Sequence, residues 1–103
     1  MGATSVRHLI QIFLPSNVDG ARHKIETVEQ QLLDRFGGVT LNINTPAKGI
    51  WERGADVERD NIIVVAVMAE KLDRDWWRNY RQQLQRTFDQ EEILIIATQV
   101  DQL

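Results

Sequence analysis

Few side chains in this sequence could do chemistry, and their types narrow what that chemistry can be. Histidine occurs only at His8 and His23, and cysteine is absent, which removes disulfides, thiolate metal sites and cysteine nucleophiles. The two histidines lack an HxH or HxxxH spacing and would need Glu26 or Asp19 to complete a ligand set, so neither a metal nor another cofactor is expected. His8 alternates with Val6, Ile10 and Ile12. It would point either into a helix-covered core as a neutral, hydrogen-bonded side chain, or into a sheet-side cavity, where it is the one weak candidate for a catalytic base. The carboxylate pairs Asp73/Asp75 and Glu91/Glu92 diverge at their spacings and suit capping or solvation better than acid and base work. Gly37-Gly38 follows a helix pattern instead of opening one, and no GK[ST] accompanies it, so it is no phosphate loop.

Binding candidates are more numerous. Arg74, Arg78 and Arg81 recur on one side of a helix pattern beside the edge of Trp77, a strip that could grip a phosphate or a partner's acidic surface. Asp73, Asp75 and Asp89 dilute it, and a solvated helix edge is the plainer reading. Trp51 either closes a lid over the core or walls a cavity and anchors a partner.

Composition sets the outer bounds. A chain of 103 residues with 12 basic and 15 acidic side chains carries a net charge of −3, which argues against general affinity for nucleic acid or anionic membranes. The apolar stretch near the start is interrupted by Gln11 and is too short for a secretory core or a span, so the expectation is a soluble, cytoplasmic, single-domain protein.

The elements that must position these residues follow from periodicity. Val6 to Leu14 alternates as a strand, Pro15 ends it, and Ser16 to Gly20 is turn chemistry with Asp19 as the expected helix cap. Ala21, Ile25, Val28, Leu32 and Phe36 draw one stripe along a helix that Gly37 closes. Val39 to Thr45 has one dry and one wet face, as an edge strand does, and Pro46 to Gly49 turns the chain toward Trp51. Glu52 to Arg59, with Gly54, is the expected tip of a hairpin. Asn61 to Ala69 is apolar on both faces. Asp73 can cap a second helix with its stripe at Trp76, Trp77, Tyr80, Leu84 and Phe88, and Glu92 to Val100 is a last strand, again apolar on both faces.

The order strand, helix, strand, strand, helix, strand describes an α+β, ferredoxin-like βαββαβ fold with an antiparallel four-stranded sheet, both helices on one face and the second and fourth strands at the edges. Two helices cover one face only, yet the third and fourth strands are apolar on both. That surplus predicts self-association, in the simplest case a homodimer closing into an α+β barrel.

The chain also resembles a family of short bacterial proteins with no assigned activity. The matching residues are Phe36-Gly37-Gly38 with Thr40, the Gly49-Ile50-Trp51 turn, the hairpin with Gly54, then Tyr80, Phe88-Asp89-Gln90 and the run Ile93 to Ile96. The resemblance implies a shape and carries no chemistry. Three functions remain open. The first is a non-catalytic dimeric protein binding a small apolar ligand or another protein at its sheet. The second is a cofactor-free monooxygenase or isomerase with His8 as base. The third, disfavoured by charge, is a nucleic-acid or regulatory partner using Arg74, Arg78 and Arg81.

Overall fold

The computed structural model describes residues 5–43 and 62–103. The expected turn at Pro46 to Gly49, Trp51 and the charged hairpin with Gly54 lie outside the described residues. Six elements follow in order: β1 (Ser5–Pro15), α1 (Ala21–Phe36), β2 (Thr40–Ile43), β3 (Ile62–Ala69), α2 (Arg74–Thr87) and β4 (Leu94–Gln102). They form a 4-stranded sheet in the order β2-β3-β1-β4, with every neighbouring pair antiparallel. The first and third strands, β1 and β3, are the inner pair, as the βαββαβ order predicts. The half-polar β2 is an edge, where its wet face costs least.

Register assigns each face its residues. Ile10 stands between Val67 and Ala97, and Ile12 between Val65 and Ile95. This face meets both helices: Ile10, Ile12, Leu14, Val65, Val67 and Ala69 share one buried cluster with Ala21, Ile25, Val28 and Leu32 of α1 and with Trp77, Tyr80, Leu84 and Phe88. The i, i+3, i+4 spacing read from the sequence is therefore the stripe that the sheet buries. Full burial of each such aliphatic or aromatic side chain contributes about 1.5–3 kcal/mol. Phe88, at the end of α2, is 0% exposed and is the largest of the fully buried side chains.

The opposite face is not uniform. At one end Phe13, Ile62 and Val64 form a second buried cluster with Leu94 and Ile96 half-buried against it, and neither helix contributes to it. At the other end Leu9 and Ala66 are half-buried and Met68 is 38% exposed. The apolar surplus expected on this side is thus confined to its Leu9 and Met68 end, smaller than the sequence implied.

Helix ends show which local signals the chain uses. Asp73 caps α2 as expected, its carboxylate accepting from the Trp76 N–H at 3.1 Å. Asp19 does not cap α1. The cap position falls on Gly20, in the left-handed region at φ 69°, and no side chain caps that end. The Ala21 N–H instead donates to the Val18 carbonyl at 3.1 Å, closing the turn with backbone alone. At the other end Gly37, φ 82°, donates its N–H to the Leu33 carbonyl at 2.8 Å. The corresponding left-handed position after α2 is held by Asp89 at φ 54°, which aspartate tolerates better than most side chains.

These two caps respond oppositely to substitution. A Cβ on Gly37 would meet nothing within 4 Å, so Gly37→Ala carries only the cost of a left-handed alanine, about 1–2 kcal/mol. Asp89→Gly should raise stability by about 0.5 kcal/mol. Urea unfolding of both variants checks the pair, with the slope of unfolding free energy against urea unchanged in each.

Candidate functional site

Where a strand ends, its alternation decides which side of the sheet a reactive group joins. His8 pairs in register with Ala69 and Gln99 and shares its phase with Ile10 and Ile12, so it lies on the helix side of the sheet. Its Nδ1 is buried without a hydrogen-bond partner. Of the two orientations open to His8 from its sequence, this is the core-facing one. His23 is exposed on α1, and its backbone carbonyl accepts from the Thr27 hydroxyl at 3.0 Å. Among the described residues no group of three or more His, Asp or Glu side chains is placed to hold a metal ion.

Arg74, Arg78 and Arg81 do gather along one side of α2. With Trp77 and Leu72 they line one wall of a groove of about 300 Å³, whose floor is Ile10, Ile95 and Ala97. Arg78 donates to Asp75 at 2.9 Å, an exposed i, i+3 pair of the kind worth little in water. Trp77 itself is buried at 7% exposure, stacked on Phe36 at 5.5 Å between ring centroids. It is a core side chain whose edge reaches the groove. Trp51 lies outside the described residues.

Trp77 belongs to an aromatic group that ties the helices together. Trp76 meets Trp77 edge-on at 4.7 Å and stacks on Tyr80 at 4.8 Å, while the Arg35 guanidinium lies 4.1 Å from the Trp76 ring centre. The Tyr80 hydroxyl crosses to α1, donating to Gln31 Oε1 at 2.8 Å. Burial raises the Tyr80 phenol well above its ordinary value, because the phenolate would lose its hydration there.

A second groove, of about 500 Å³, opens where the far face of the sheet meets the α1–β2 connection. Leu9, Ala66 and Met68 give it an apolar floor, the segment Gly37 to Thr40 gives it one rim, and Arg7 gives it a cation. Arg7 Nη2 donates to Glu70 at 3.3 Å, and Arg7 Nε is buried with no partner. The sequence reading passed over Arg7. Its signal was available: it is the only charged side chain on the far face of a strand that otherwise presents Leu9, Gln11 and Phe13.

No family model and no curated protein matches the chain. Among solved structures it is similar to CPII from Thiomonas intermedia K12, in a structure bound to ADP and bicarbonate, with a TM-score of 0.53 and 18% identity over 97% of this chain and 91% of that one. The likeness shows a shared ferredoxin-like fold.

Tyr80 is the only tyrosine, which makes its titration readable by the ultraviolet absorbance of tyrosinate. The unfolded phenol ionises near pH 10, and the folded one is held neutral above that. Stability from this group is therefore complete below about pH 10 and declines above it by at most about 1.4 kcal/mol per pH unit. Tyr80→Phe should abolish that alkaline component while costing about 1 kcal/mol at neutral pH through the lost bond to Gln31. Denaturant unfolding at a series of alkaline pH values tests both.

Proposed function

We propose that this chain is a non-catalytic, self-associating protein that binds a small anionic ligand with an apolar or aromatic body in the groove beside Arg7. The observation that carries the reading is the buried, unpartnered Nε of Arg7 above an apolar floor. A donor left without a partner in such a place costs about 1–3 kcal/mol unless something supplies an acceptor. A carboxylate or phosphate would do so, and Leu9, Ala66 and Met68 offer contact to the rest of the molecule. The CPII structure holds ADP and bicarbonate, both anions, and that supports the class of ligand.

Self-association belongs to the same reading. The Leu9 and Met68 end of the far face is not covered by α1 or α2, and a second copy laid on it would make a homodimer of the α+β barrel kind and deepen the groove. A cofactor-free enzyme is the weaker alternative. It needs His8 in a sheet-side cavity, and His8 is on the helix side.

Isothermal titration with ADP, and separately with bicarbonate, tests the ligand. Arg7→Ala should weaken ADP binding about tenfold or more without changing the circular dichroism spectrum, since its ion pair to Glu70 is partly exposed. Absence of heat with either anion, together with unshifted amide resonances for Arg7, Leu9 and Met68, would remove the proposal.

A further inference from the structure

β4 ends the sheet, and among the described residues no strand pairs with its outer edge. Nine residues, LIIATQVDQ, therefore present a row of backbone donors and acceptors. Long edges of this kind are ordinarily kept from pairing by lysine, proline or a bulge. Leu94 to Gln102 contains neither lysine nor proline, and its single charge is Asp101 near the end. Its pairing with β1 runs in unbroken register from Ser5↔Gln102 to Phe13↔Leu94, so no bulge interrupts it either.

The side chains flanking this edge differ between the two faces. On the helix face it borders the groove of Arg74, Arg78 and Arg81, with Ile95 and Ala97 as floor. Arg78 is engaged by Asp75, whereas Arg74 and Arg81 hold no hydrogen bond or ion pair with the described residues. On the far face the edge borders Leu94 and Ile96, which are half-buried. Arg74 and Arg81 are seven residues apart, about 10 Å along a helix. Same-side residues of an extended strand recur about every 6.7 Å; the remaining difference of about 4 Å is within the reach of a long, flexible arginine side chain, so two acidic side chains on one side of the strand would meet Arg74 and Arg81.

We propose that the β4 edge receives an extended segment of a partner protein in which acidic residues alternate with apolar ones. The acidic residues turn toward Arg74 and Arg81, the apolar ones toward Leu94 and Ile96, and the backbone continues the sheet. The complement is one of charge. In a chain of net charge −3, two neighbouring arginines with no partner among the described residues select carboxylates on a short segment over a polyanion that the remaining surface would repel. This site shares only Gln102, at the end of β4, with the groove at Arg7 and does not depend on a ligand there.

The test uses the full chain, isotopically labelled, and a blocked octapeptide alternating glutamate and valine, with its lysine and valine counterpart as control. The glutamate peptide should slow hydrogen exchange at alternate amides of Leu94 to Gln102 and shift the Arg74 and Arg81 side-chain signals, and the lysine peptide should do neither. A double variant, R74E with R81E, should weaken glutamate-peptide binding at least tenfold and reverse the preference toward the lysine peptide. Both positions are exposed on α2, so an unchanged thermal transition confirms that folding is intact. Any of the following would overturn the proposal: equal binding of the two peptides, no effect of the double variant, or protection of the β4 amides that rises with protein concentration in the absence of peptide. The last would assign the edge to a second copy. Inorganic phosphate shifting Arg74 and Arg81 where the peptide does not would likewise refute it in favour of a small anion.

Discussion

A sheet has two faces, and both of the described helices of this chain lie on one of them. The continuous contact of α1 and α2 with Ile10, Ile12, Leu14, Val65 and Val67 fixes everything else. It sets the strand order, because each helix must cross one neighbouring strand in the favoured hand. It also puts His8 on the closed side and leaves Arg7, Leu9 and Met68 on the open one. Alternation along a single strand thereby separates a helix-side histidine from a candidate binding arginine one residue away.

The aromatic group at the start of α2 is the complementary constraint. Phe36 closes α1 and stacks on Trp77, and Tyr80 reaches Gln31, so the helices are locked to one another as well as to the sheet. The same packing leaves the outer side of α2 free to carry Arg74, Arg78 and Arg81 beside β4. Beside a strand edge that no described strand pairs, these side chains are placed by elements instead of loops.

Much of this architecture was legible in the sequence because periodicity and caps are local signals. The stripe from Ala21 to Phe36, the closure at Gly37, the Asp73 cap and the inner placement of the first and third strands could be read directly. The Asp19 cap could not. A glycine one residue later offered a backbone turn that needed no side chain, and sequence alone does not rank the two. The division of the far face into a buried Phe13, Ile62 and Val64 end and a more open Met68 end was also hidden, since alternation marks a face as apolar without saying how much of it is covered. Trp77 belongs to the stripe of Tyr80 and Leu84 and is core, with its edge in the groove of the arginines. Arg7 was not legible as a site residue because it belongs to no cluster of charge; what marks it is one charge alone on the far face of β1 beside Leu9, Gln11 and Phe13.

In the proposed assembly the helix-free end of the sheet is sheltered by another copy of the chain. Sedimentation equilibrium of the unmodified protein at micromolar concentration addresses this most directly, with Met68→Asp as the comparison. The account predicts an assembled species for the unmodified chain and a monomer for the variant. A unit-mass monomer for both, stable across the concentration range, would contradict it.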